Sequence, residues 1–165
     1  MIHRLIFYEP EQLATVIARG AEKLKVKIDP EAALSIARRA RGTPRIGLKL
    51  LKRVRDMAQV SEKGLINSDI LEKTFSLLEV DELGLDSADK RLLSAIIEKF
   101  DGGPVGVETL AASIAEDMGT IEEVLEPYLM QIGFLKRTTR GRVATEKAYK
   151  HFKKGNKQNT QEKLL

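Results

Sequence analysis

Arg38-Arg39-Ala40-Arg41-Gly42-Thr43-Pro44-Arg45-Ile46 reads as the end of one helix, a tight stop and the start of another. Gly42 is the residue type expected just past a helix C-terminus, because it takes a left-handed backbone without a Cβ penalty. Thr43 is a suitable N-cap, and Pro44 suits the first helical position, where no N–H is needed. Arg45 then falls in the first turn, beside backbone N–H groups that have no partner inside the helix. A cation is unfavourable there, since that end of the helix already carries about half a positive charge. An anion would satisfy the free N–H groups and the guanidinium together. The alternative is that Arg45 pairs with a nearby acid and does nothing else.

Working outward, Pro10 starts a helix to about Leu24, with Leu13, Val16, Ile17 and Ala21 on one face. Asp29-Pro30-Glu31 opens a second, running to Arg41, with Ala33, Leu34, Ile36, Ala37 and Ala40 at helical spacing. The third, from Pro44 to about Ala58, turns Ile46, Leu50, Leu51, Val54 and Ala58 inward and sets Arg45, Lys49 and Lys52 on a polar stripe. Asn67-Ser68-Asp69 begins a fourth helix, to about Leu78. Residues 9–79 thus form a four-helix unit of about the smallest size that folds alone. Ahead of it, Arg4-Leu5-Ile6-Phe7-Tyr8 is a short apolar strand with no sheet to join, so residues 1–8 read as a remnant of something larger.

Val80 to Gly84 is a short connection to a second unit, residues 82–153. A helix from about Ser87 to Phe100 carries Leu92, Leu93, Ile96 and Ile97, and Gly102-Gly103-Pro104-Val105-Gly106 is a turn with room for one or two extended residues. Val107 to Glu116 is a second helix. Thr120-Ile121-Glu122-Glu123 has the form of a capping box opening a third, closed by Gly133, with Pro127 inside it where a bend is expected. Phe134 to Thr138 and Arg142 to Thr145 flank Thr139-Arg140-Gly141 as a hairpin. Thr145 caps a last helix bearing Ala148, Tyr149 and Phe152, and residues 154–165 form a polar tail expected to be disordered. Helix, short strand, helix-turn-helix and hairpin is the order of a winged-helix domain. The expected fold class is mainly α: a four-helix bundle, then a winged-helix domain with one small β-hairpin.

The 165 residues are 42% hydrophobic, 32% charged and 5% aromatic, a composition of globular proteins. No apolar run is long enough to span a bilayer. With no Cys there is no disulfide or thiolate metal site, and His3 and His151 lie far apart without ligand spacing, so no metal site is expected. No Walker loop, Ser/His/Asp group or other catalytic constellation appears within the chain. The net charge of +4 is unevenly placed. Arg38 to Arg55 holds eight Lys or Arg and no acid, Glu79 to Glu126 holds thirteen acids against three bases, and Phe134 to Lys157 holds nine bases against one acid. Such blocks point to localised binding surfaces.

The hairpin concentrates Arg137, Arg140 and Arg142 around a Gly turn, with Lys136 beside them and no acid within the hairpin. Three guanidiniums on one protrusion repel one another unless phosphates are their neighbours. No aromatic sits at the tip, so backbone contact without sequence reading is expected. A plain charged hairpin, and a solvated basic face for Arg38 to Arg55, are the alternatives.

Leu5 to Tyr8, Ala37 to Ile46, Leu51 to Asp56, Gly102 to Gly106, Ile121 to Leu129 and Gly133 to Arg142 together resemble the C-terminal half of RuvB, the bacterial motor that drives branch migration of Holliday junctions. Pro127 belongs to that pattern. The resemblance implies that residues 9–79 are the small lid subdomain of an AAA+ ATPase and residues 82–153 the winged-helix head. It matches Arg45 to the sensor-2 arginine, which reaches the nucleotide phosphates, and Tyr8 to the tyrosine lining the nucleotide. Arg137 and Arg142 match the head arginines that hold duplex DNA, with Arg140 between them; Thr139 stands where the family often has Pro. It further implies ATP, with Mg held by the large subdomain, a homohexameric ring, RuvA and RuvC as partners, and a cytoplasmic role in recombination, repair and the SOS response. The Walker-bearing large subdomain would precede Ile2, so this chain alone is expected not to hydrolyse ATP. The competing readings are a stand-alone winged-helix regulator with a helical dimerisation unit, or the corresponding end of another AAA+ loader.

Overall fold

The computed structural model describes residues 7–60 and 65–153. Most of the strand expected at Arg4 to Tyr8, and the tail at 154–165, lie outside them. The chain divides into two compact units, the first ending at Asp86 and the second beginning at Ser87.

The first unit is built from α1 (Pro10–Lys23), α2 (Pro30–Arg38), α3 (Pro44–Val60) and α4 (Ser68–Leu77). Leu13, Ile17, Ile36, Leu51, Val54 and Phe75 are buried at its centre, the faces that helical spacing selects. Two short strands went unforeseen: β1 (Lys27–Ile28) pairs in parallel with β2 (Leu65–Ile66). Two residues carry no readable alternation, so only the packing of the surrounding helices creates this pair. Asn67 caps α4 by accepting from the Ile70 N–H (3.1 Å). Residues 81–86 complete the unit, the Asp81 carboxylate holding the Leu83 and Leu85 N–H groups at 3.0 and 2.9 Å.

The second unit opens with α5 (Ser87–Ser94), which continues as a π-helical turn over Ala95–Lys99. After α6 (Val107–Ile114) the chain reverses through left-handed Ala115 (φ 53°). The next helix starts earlier than its expected capping box. Asp117 is the N-cap, accepting from the Thr120 N–H at 3.2 Å, and α7 covers Met118–Thr120. Thr120 therefore lies inside the helix rather than at its cap. Pro127 does not break the run. A π turn at Ile121–Leu125 precedes α8 (Glu126–Gln131), and the wider turn accommodates the missing N–H. Ile132 and left-handed Gly133 close α8, with Phe134 N–H to Leu129 O at 2.8 Å and Gly133 N–H to Met130 O at 3.0 Å.

Strands β3 (Leu135–Thr138) and β4 (Gly141–Ala144) form the expected hairpin, in the register Leu135↔Ala144 to Thr138↔Gly141 around a two-residue turn, Thr139-Arg140. Val105 adds a bridge on the outer side of β4, exchanging 3.0 and 2.8 Å bonds with Arg142. A Cβ at Gly141 would stand 2.4 Å from the Val105 carbonyl oxygen, so only glycine permits this third strand. Residues 146–153 form α9, capped by Thr145, whose hydroxyl also donates to Gly133 O at 2.6 Å. The architecture is the mainly helical bundle and winged helix that the sequence led us to expect.

Candidate functional site

In the first unit the stretch 38–46 makes a tighter corner than expected. Helix α2 ends at Arg38, and both Arg41 (φ 53°) and Gly42 (φ 69°) are left-handed. The Arg41 guanidinium is tied down from this corner, Nε and Nη2 donating to the Gly84 carbonyl at 2.9 and 2.7 Å. Gly42 has a second reason to lack a side chain. A Cβ there would lie 2.7 Å from Phe7 Cβ, and the Tyr8 N–H donates to Gly42 O at 3.0 Å. Tyr8 is thereby pinned to the corner that launches α3. Its ring is about half exposed.

Helix α3 begins at Pro44, and the Thr43 carbonyl accepts the first helical bond, from Gly47 (3.2 Å). The Thr43 hydroxyl turns back to the Ala40 carbonyl (3.1 Å). Arg45 is exposed in the first turn and has no hydrogen-bond or ion-pair partner among the described residues. Among the described residues no acid makes it a plain ion pair. Its neighbours in the basic run divide into two sets. Arg39 stacks on Phe75 at 4.3 Å and bonds Ser35, its ionisation pushed down by burial against the pull of Glu82 and Asp81. Arg41 and Arg55 are also engaged, Arg55 with Asp56. Arg38, Lys49, Lys52 and Arg53 are exposed alongside Arg45.

In the second unit the three hairpin arginines have unlike surroundings. Arg140 sits at the turn, exposed and without a side-chain partner among the described residues, its N–H bonded to Thr138 Oγ1 (3.3 Å). Arg137, also exposed, bonds Glu122 Oε1 at 3.2 Å. Arg142 is buried (6% exposed) and directed inward. Its Nε meets Glu126 Oε1 at 2.5 Å, and its Nη2 meets Glu122 Oε1 at 2.7 Å and Glu126 Oε2 at 3.4 Å. Glu126 is fully buried. The hydrogen bonds to Glu126, more than those to Glu122, hold the Arg142 guanidinium above its usual ionisation range despite desolvation. The hairpin itself lacks acids, as its sequence shows; both come from the helix behind it.

Two family models match the chain in sequence: the RuvB AAA lid domain over residues 8–81 and the RuvB C-terminal winged helix domain over residues 82–153. The chain belongs to the RuvB family. Among solved structures it is similar to the Thermotoga maritima RuvB Holliday junction branch migration motor, at 52% identity and TM-score 0.85, covering 90% of this chain and 50% of that one. A point mutant of the Thermotoga maritima RuvB gives 51% identity and TM-score 0.86 over 91% of this chain and 50% of that one. The chain therefore spans about half the length of the RuvB structures it matches. No helix among the described residues is long and apolar enough to cross a membrane.

Sequence reasoning missed Glu122 and Glu126 as partners of the hairpin. One signal was available: residues 120–133, the second helix of the helix-turn-helix, hold three Glu and no base. Carboxylates so placed, next in the chain to a basic hairpin, are candidates to pair with it. Which of its carboxylates turn inward depends on the π turn, which no spacing rule reveals.

Proposed function

We propose that this RuvB-family chain is the nucleotide-sensing and DNA-holding part of an ATP-dependent Holliday junction branch migration motor. In this reading residues 9–79 are the AAA+ lid and residues 82–153 the winged-helix head. The observation that carries it is Arg45, an exposed guanidinium without a partner among the described residues, in the first turn of α3. Free N–H groups, the positive end of the helix dipole and this side chain converge on one spot suited to an anion. Tyr8, anchored to Gly42, offers a half-exposed ring beside the same corner. These two residues fit a nucleotide: Arg45 would hold phosphate charge and Tyr8 would line the nucleoside. ATP supplies the free energy of hydrolysis, and its Mg ion is assigned to the large subdomain of the full-length protein.

Duplex DNA arms are held through phosphates by Arg137 and Arg140. Arg142 supports the hairpin from within, and its contribution to DNA binding is positional. The assembled motor is a homohexamer that works with RuvA and RuvC in the cytoplasm, in recombination, repair and the SOS response. In the full-length protein Arg45→Ala should lower ATP turnover at least tenfold, and near-normal turnover would remove its phosphate role.

A further inference from the structure

We infer that Glu122 is a built-in competitor for DNA phosphate at the hairpin, and that it sets how tightly the head holds duplex. The inference rests on the duplex-binding reading of the hairpin. Arg137 and Arg142 stand directly opposite each other on β3 and β4, so their side chains share one face and repel. A single atom, Glu122 Oε1, touches both, at 3.2 Å and 2.7 Å. Their dependence on it differs. Arg142 keeps two further bonds to buried Glu126, whereas Glu122 is the only ion-pair partner of Arg137 among the described residues.

The Arg137 and Glu122 side chains are 55% and 37% exposed, so their pair sits at the water boundary, where such bonds are weak and exchangeable. A carboxylate and a phosphate offer a guanidinium the same oxygen acceptors. A phosphate reaching Arg137 therefore takes the place of Glu122, which stays bonded to Arg142. The hairpin keeps its shape through the exchange, because Glu126 still holds Arg142. Each phosphate must outcompete a carboxylate that α8 and its π turn keep permanently at hand, which weakens the grip and makes it easier to release. Arg140, at the turn, has no such competitor among the described residues. A head that must let duplex slide past needs a contact of this kind.

The test uses the whole chain and a fluorescent 30-base-pair duplex of arbitrary sequence. Glu122→Gln keeps an acceptor for Arg142 and removes the charge. Glu123→Gln removes the same charge one residue on, from an exposed side chain without a partner among the described residues. Glu122→Gln should tighten duplex binding about three- to fivefold and Glu123→Gln less than about twofold. In an Arg137→Ala background the two should become equal, since the competition acts through Arg137. Equal effects in the wild-type background, or a gain that persists without Arg137, would overturn the inference while leaving the duplex reading intact. If Arg137→Ala alone fails to weaken binding, both fall.

Discussion

Arg45 and Gly42 show how one corner combines tolerance with constraint. Arg45 is exposed, with no hydrogen bond or ion pair to lose among the described residues. Replacing it with Ala should change stability by less than about 0.5 kcal/mol, measured by urea unfolding, even as turnover in the full-length protein falls. Gly42→Ala should do the reverse. It meets Phe7 at 2.7 Å and forces φ of 69° on a residue with a Cβ. The left-handed backbone alone costs about 1–2 kcal/mol, and the Phe7–Tyr8 segment must shift as well. At the hairpin, Arg137→Ala and Arg140→Ala should each lower the slope of log affinity against log salt by about one, alike for unrelated duplexes. An unchanged slope would exclude that residue from phosphate contact. Gly42, Pro44 and Arg45 were legible in the sequence, because each acts through its own backbone position. The left-handed state of Arg41 was not, since a non-glycine residue rarely adopts it, and neither was its side-chain bond to a carbonyl 43 residues away, that of Gly84.

At the scale of elements, the wing is fastened to the helix behind it by a buried ion pair. Arg142 on β4 and Glu126 at the start of α8 share two bonds, and Glu126 is fully buried. Arg142→Ala leaves that carboxylate without its guanidinium, and should destabilise the second unit by about 3–5 kcal/mol. Arg142→Met with Glu126→Leu removes both charges together and should restore most of that loss, as read from denaturant midpoints. If Arg142→Ala melts like the wild type, the pair is not structural. Loss of DNA binding in Arg142→Ala must therefore be compared with its folding before it is credited to a phosphate contact. The hairpin was readable from the sequence, but its turn is one residue shorter than expected. Gly141 pairs with Thr138 as the first residue of β4, because Val105 closes on it from the other side. The placing of the π turn was not readable: Thr120-x-x-Glu123 satisfied the capping-box pattern, but Asp117 offers a charged acceptor three residues earlier, and Pro127 favours a wider turn just before it.

At the scale of the whole molecule, the charge blocks resolve into surfaces with different duties. The basic run of the first unit splits into arginines engaged in packing and exposed bases. The acidic block includes the helix that restrains the hairpin, and the basic block begins with the hairpin. With phosphate contacts only, duplexes of unrelated sequence should compete equally for the chain at a fixed salt concentration. A footprint confined to one palindrome would instead favour a stand-alone regulator.

The sequence by itself determined the helix faces, the corner at 38–46, the hairpin and the order of a bundle followed by a winged helix. Each follows from spacing or backbone preference within about ten residues. Only the tertiary structure decided which of three neighbouring arginines faces water and which is sealed against carboxylates. Strand alternation places Arg137 and Arg142 on the same face but does not say how deep that face lies. That depth is set by where Glu122 and Glu126 come to rest, on a helix 15 to 20 residues earlier in the chain.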